Sequence, residues 1–374
     1  MGKEGSKLVE AVMLLMGTII GAGVLGIPYV VAKSGFILGL ANILVLGFIL
    51  LLLNLYIGEV TLRTKGNHML AGYADKYLGK WGKWLMTLTA MLGVYGALTA
   101  YAIGEGNVLS ALFGGPTLFW SLLFFAAFSL LLYFDLDLIA EYDLLISGLM
   151  VFFMVTVLLL AAPHVTSSNL SGFSPSNVFL PYGVIFFAFI GASAIPEMRA
   201  ELRKNPKKLK QAIMLGSGSV ILLYSLFALV IVGVTGFSTT EVSTIGLGAT
   251  LGNHMLILGN LFAFFSMGSS FLLLGLALKW MFKYDYGFSW MNSWLATWTI
   301  PLVIFLVSSP SFVNIMGLTG AVAGGIEGIL LVLIALYAKK KGERKPEYSI
   351  PLNWVIASIL IAVFIAGIAY QFLF

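Results

Sequence analysis

The sequence predicts an all-α polytopic membrane protein, built from two five-span halves of opposite orientation followed by one further span. Three observations lead there: the composition, the number of apolar runs, and two interrupted runs five spans apart. Of 374 residues, 60% are hydrophobic and 10% are charged, whereas soluble domains carry about 25% charged residues. A chain of this composition belongs in lipid. The first apolar run is too long for a signal peptide and lacks a small-residue cleavage site followed by a soluble domain, so it is expected to be retained. With no cysteine there is neither a disulfide framework nor a thiolate metal site. The formal charge of +5 is expected to serve topology, because cytoplasmic loops retain Lys and Arg. Nucleic acid is therefore not an expected partner, and the lipid bilayer is.

Apolar runs of about 20 residues, bounded by charges or by Gly, Pro, Asn and Ser clusters, place eleven spans. They lie at 8–32, 36–62, 83–112, 117–134, 142–162, 177–200, 208–235, 253–282, 291–308, 313–338 and 350–373. The basic residues test that count. With the N-terminus inside, Lys33 alone of the 21 Lys and Arg residues falls outside, which is the asymmetry expected of a correct count. The reading is one transmembrane domain over 1–374, with halves at 8–162 and 177–338 and an added span at 350–373. It places the protein in the cell membrane with its N-terminus cytoplasmic and its C-terminus outside. Asp135 to Asp143 is expected to be an inner loop without basic residues.

The first span carries four glycines and a proline between Gly17 and Pro28. A helix-interior glycine costs about 1 kcal/mol against alanine and proline about 3 kcal/mol, so this span is expected to come apart near the bilayer midplane. Bare N–H and C=O groups survive at that depth only when buried in protein or lining a polar cavity. The sixth span repeats the pattern over Phe186-Phe187-Ala188-Phe189-Ile190-Gly191-Ala192-Ser193-Ala194-Ile195-Pro196-Glu197. Five spans separate the two, so the sixth enters the membrane from the opposite side to the first. Paired interrupted spans at matching positions point to an inverted repeat with a midplane binding site.

The stretch Gly17-Thr18-Ile19-Ile20-Gly21-Ala22-Gly23-Val24-Leu25-Gly26-Ile27-Pro28-Tyr29 resembles the opening helix of the amino acid/auxin permease family, within the amino acid, polyamine and organocation transporter superfamily. Ile195-Pro196-Glu197-Met198, Glu201 to Lys208, and Met316 to Gly324 are similar to further stretches of that family. The resemblance implies a leucine-transporter-type 5+5 inverted-repeat fold and secondary amino acid transport. Carried over by position, it implies that the N–H groups of Gly21, Ala22 and Gly23 take a substrate carboxylate. Carbonyls near Thr18, Ile19, Ala188 and Phe189 would take the ammonium. Phe187, Ser193 and Tyr101 are nominated to discriminate side chains. Small residues and the lack of an acid in either break favour a neutral substrate.

For the coupling ion, the wider fold implies a sodium site formed by hydroxyls of span eight, here Ser266, Ser269 and Ser270, with carbonyls of Gly17 and Ile20. Protons are the rival, because intramembrane carboxylates are costly and functional by default, and Glu105 and Glu327 both lie in apolar spans. Glu59 is expected to pair with Arg63 one turn on, and Glu10 and Glu197 are placed at an inner gate. An enzyme is disfavoured, since His68, His164 and His254 fall in loops or at a span edge and no nucleophile–base or metal-ligand spacing occurs. No cofactor is expected beyond Na+ or H+ as coupling ion. An exchanger or a non-transporting amino acid sensor of the same fold is the alternative reading.

Overall fold

The first apolar run breaks at residues 20–22, around Gly21, while Pro28 is accommodated inside the helix that follows. The computed structural model describes residues 3–134, 138–308 and 310–373. Its first span consists of α1 (Lys3–Ile19) and α2 (Gly23–Ser34), bent by 58°. The chain continues through α3 (Phe36–Arg63), α4 (Leu70–Leu78), α5 (Lys80–Phe113), α6 (Thr117–Tyr133) and α7 (Leu138–Ala161). Span six is α8 (Pro181–Phe189) and α9 (Ile195–Glu201), joined by Ile190, Gly191 and a tight turn at Ala192–Ala194. Then follow α10 (Lys208–Thr235), α11 (Ser243–Leu251), α12 (Asn253–Trp280) and α13 (Trp290–Ser308). Span ten is α14 (Phe312–Leu318) and α15 (Gly325–Lys341), linked by a wide π turn at Thr319–Gly324, and α16 (Trp354–Leu373) closes the chain.

Among the described residues eight helices are long and apolar enough to cross a membrane, and the bent pair of span one makes nine. Spans four and five contribute the shorter apolar helices Thr117–Tyr133 and Gly148–His164. Three local expectations need correction. Of the expected loop from Asp135 to Asp143, residues 135–137 lie outside the described residues, and Leu138 already begins α7. The last span starts at Trp354 rather than at 350, because the preceding segment is held in non-helical form by side chains of α3. Two nine-residue helices, α4 and α11, were not expected, being too short to give a span signal. Each still buries one face: Tyr73, Ala74, Tyr77 and Leu78 in α4, and Ser243, Thr244, Gly246, Leu247 and Gly248 in α11.

Two groups of helices emerge from the packing. Spans one, two, six and seven pack on one another, as do spans three, four, eight and nine. Span ten touches both, lying against α3 and α8 on one side and α5 on the other. The helix α11 packs on α2, α10 and α12.

Buried charges hold the helix ends. Lys279 is fully buried, donates to the Leu132 carbonyl at the end of α6, and sits 3.9 Å over the Trp290 ring. A cation there answers the negative end of the helix dipole. Glu59, whose side chain is 3% exposed, accepts from Arg63 Nε at 2.7 Å, Lys339 Nζ at 2.7 Å, Ser349 Oγ at 2.9 Å and the Ile350 N–H at 2.8 Å. This carboxylate thus joins α3, α15 and the segment leading into α16. Removing one partner of a buried ion pair costs about 3–5 kcal/mol. Glu59→Ala is therefore expected to lower the thermal unfolding midpoint in detergent markedly. Adding Lys339→Met is expected to cost less than the sum of the single changes, since it removes the orphaned cation.

Candidate functional site

The two breaks lie against each other. A Cβ at Gly23 would stand 2.5 Å from Ala188 Cα and 2.6 Å from Ala188 Cβ, so the start of α2 meets the last turn of α8 at a distance only glycine permits. The reciprocal contact is at Gly191, where a Cβ would lie 2.5 Å from Ile19 Cγ1. Each break places a glycine on the other's helix end.

The freed backbone groups sort by sign. The last bond of α1 runs from the Ile20 N–H to the Met16 carbonyl at 2.7 Å, and bonding resumes with Val24 N–H to Gly21 O at 3.4 Å and Leu25 N–H to Ala22 O at 3.0 Å. Between them, the N–H groups of Gly21, Ala22 and Gly23 enter no backbone hydrogen bond among the described residues. These are donors at the positive end of α2. On the acceptor side, the carbonyls of Ile19 and Ala188 both face the Tyr224 hydroxyl, at 2.9 and 3.3 Å. Tyr224 is fully buried on α10, with its ring 4.9 Å from that of Phe189. One phenol therefore closes the carbonyl ends of both broken helices.

Around Gly21 lie two further hydroxyls. Ser270 Oγ would stand 3.0 Å from a Cβ at Gly21 and Tyr101 Oη 3.8 Å from it. Gly21, Ala22, Gly23, Ile19, Ala188, Phe189, Tyr101 and Ser270 are thus brought to one place. Tyr224 was missed in the sequence, where a lone phenol in the middle of an apolar span was its only signal. Phe187 backs onto span ten, its backbone nitrogen 2.6 Å from where a Cβ on Gly320 would be.

Burial across the breaks is uneven. Residues Gly23 to Pro28 are all buried, and so is α8 except for Phe187. On the other side of the breaks Thr18 and Ser193 are exposed, and Thr18 Oγ1 donates to the Leu14 carbonyl at 2.9 Å. The site is sealed on the side of α2 and α8 and accessible from the side of α1 and α9. At that accessible end Lys7 bridges Glu10, at 2.7 Å, and Glu201.

The nominated ion-coupling residues fall in three places. Ser269 donates to the Phe265 carbonyl of its own helix at 2.7 Å, the ordinary bond of a serine in a membrane helix. Ser266 is buried and its hydroxyl has no partner among the described residues, while Gly17 and Ile20 flank the end of α1. Glu105 is fully buried with neither carboxylate oxygen bonded; its flanking glycines lie against Met267, Phe312 and Ser121. Glu327 lines a cavity of about 20 Å³ with Asn54, Ile190 and Gly191, beside the second break. Among the described residues no cluster of three His, Cys, Asp or Glu side chains is placed to hold a metal ion.

This arrangement agrees with comparisons to other proteins. The tryptophan/tyrosine permease family profile matches residues 4–371. A tyrosine-specific transport system 1 protein of Haemophilus influenzae is 27% identical over 230 residues, covering 60% of this chain and 57% of that protein, so the match spans little more than half the relative's length. Glutamine transporter 2 of Aliivibrio fischeri is 23% identical over 347 residues, 88% of this chain and 87% of that one. Among solved structures, MhsT in complex with L-phenylalanine superposes with a TM-score of 0.69 at 15% identity, covering 97% of both chains. Mhp1, a nucleobase-cation-symport-1 family transporter, does so with a TM-score of 0.60 at 13% identity, covering 96% of this chain and 90% of its own. At such identities these two show the fold, which is the leucine-transporter-type inverted repeat with broken first and sixth spans.

The phenol that closes both helix ends provides a test. Leaving a buried carbonyl without its donor costs about 1–3 kcal/mol. Tyr224→Phe, which keeps the ring, is expected to lose stability in that range, measured by denaturant unfolding in detergent micelles.

Proposed function

The chain belongs to the tryptophan/tyrosine permease family, and from that premise we propose that it is a cation-coupled symporter carrying a neutral amino acid by alternating access. Family and fold make it an integral membrane amino acid transporter of the secondary class rather than an enzyme. The reading rests on one observation above all: free N–H donors at Gly21 to Gly23 stand beside the carbonyls of Ile19 and Ala188, with no charged side chain in either break. A zwitterionic amino acid needs an anion site and a cation site a few ångströms apart, and two antiparallel breaks offer both from backbone alone.

On this reading the α-carboxylate lies on the N–H groups of α2, and the ammonium takes over the carbonyls that Tyr224 holds. Tyr101, Phe187 and Ser193 face the side chain. A neutral side chain fits a site without an opposing carboxylate, and the family description and two relatives name tyrosine, tryptophan and glutamine. The packing of spans one, two, six and seven as one group and three, four, eight and nine as another supports a rocking movement of the first group against the second; each repeat half, 8–162 and 177–338, supplies helices to both groups, with 350–373 added. Exposure of Thr18 and Ser193 corresponds to the state open toward α1 and α9. The basic residues put that end in the cytoplasm, hence the N-terminus inside and the C-terminus outside the cell membrane. The first-span stretch also carries the resemblance to amino acid/auxin permeases.

Sodium is the proposed coupling ion, held by carbonyls of Gly17 and Ile20 and hydroxyls of Ser266, Ser269 and Ser270. The unpartnered Ser266 hydroxyl favours it. Glu105 and Glu327 define the competing proton route, favoured by the unpaired carboxylate of Glu105. Uptake of radiolabelled amino acids into proteoliposomes, under an imposed sodium gradient or an imposed pH gradient, decides between them. Sodium-driven accumulation that falls at least tenfold in Ser266→Ala/Ser269→Ala is the expected result. Accumulation driven only by pH and lost in Glu105→Gln or Glu327→Gln moves the coupling role to the carboxylates. Exchange without net accumulation identifies an exchanger, and binding without any flux a sensor.

A further inference from the structure

Away from the breaks, at the end of the molecule where α9 terminates, lies a cavity of about 300 Å³ lined by Asn67, Arg199, Ala200, Arg203, Pro206 and Arg344. Three segments distant in sequence build it: the loop after span two, the end of span six and the loop after span ten. Its three guanidinium groups are incompletely answered. Arg199 Nη1 donates to the neutral Gly66 carbonyl at 3.2 Å and to Asn67 Oδ1 at 2.8 Å. The Arg203 side chain makes no hydrogen bond or ion pair among the described residues. Arg344 is paired with one carboxylate, Glu347. Nearby Glu201 and Glu343 are taken by Lys7 and by Lys76, and these bonds hold the Glu343 carboxyl below its ordinary range. Three cations facing one paired acid leave the cavity positive.

Guanidinium groups present fixed forks of donors that match phosphate oxygens two at a time. Basic pockets between helices at a membrane surface bind phosphate head groups by this chemistry. We propose that this cavity is a binding site for a phosphate-bearing anion, held by Arg199, Arg203 and Arg344. The ligand joins the end of span six to the loops after spans two and ten, so its occupancy stabilises the arrangement seen here. This site is independent of the substrate reading given above.

The same chemistry has two sources, a phospholipid head group or a soluble phosphate, and the test separates them. Full-length protein in neutral detergent is titrated with dioctanoyl phosphatidic acid, with dioctanoyl phosphatidylcholine, and with inorganic phosphate, following the thermal unfolding midpoint and lipid adducts by native mass spectrometry. The expected result is a saturable rise of several degrees with phosphatidic acid and none with the choline lipid. That response should weaken at least tenfold in Arg203→Gln/Arg344→Gln and persist in the charge-matched control Lys204→Gln/Lys207→Gln. Should the double arginine variant fold poorly, Arg203→Gln alone, at an exposed position, gives the same comparison. Saturation by inorganic phosphate with the same arginine dependence assigns the site to a soluble anion. No response to either phosphate probe, or a response equal in arginine and lysine variants, overturns the proposal.

Discussion

The constraint on which this structure turns is that an unwound backbone at membrane depth must find partners inside the protein. Both breaks meet it together. Gly23 admits the Ala188 backbone, Gly191 admits the Ile19 side chain, and Tyr224 reaches across to the carbonyls that end α1 and α8. In the first break, the N–H groups of Gly21, Ala22 and Gly23 stay without a backbone partner among the described residues. The donors proposed to bind the substrate are thus what remains after the folding problem has been solved, where two groups of helices meet.

Charge is distributed by the same economy of lipid. Glu59 is buried but accepts from two cations, a hydroxyl and a backbone N–H, and Lys279 is buried but caps a helix. Such residues turn the cost of burying charge into fixed joints between helix ends. Against that background two departures stand out: Glu105, buried with no bonding partner, and the arginine cavity, where cations outnumber acids. The first belongs to the coupling question and the second to a ligand from outside the chain.

The two sides of the breaks differ in how tightly they close. One part of each broken span, α2 and α8, is buried almost throughout, with α11 packed over α2. The other parts, toward α1 and α9, expose Thr18 and Ser193 and are bridged by Lys7 to Glu10 and Glu201. Exposed ion pairs of that kind contribute about 0–1 kcal/mol, so they are suited to a contact that opens.

What the sequence determined by itself was set by composition and local chemistry. Apolar runs of about bilayer length marked the spans, and clustered glycine and proline marked the two that break, because each weakens a helix interior by about 1–3 kcal/mol. The pair of Glu59 with Arg63 was legible as one helical turn. Tertiary structure decided everything that depends on residues far apart meeting. Tyr224 acquires its role only because α10 lies beside both breaks, and Ser269 is turned back on its own helix while Ser270 and Tyr101 both stand beside Gly21. The helices α4 and α11 are too short for hydropathy to register them, and the arginine cavity joins positions 67, 199 and 344. No local pattern carries such meetings, since they follow from which helix faces pack together.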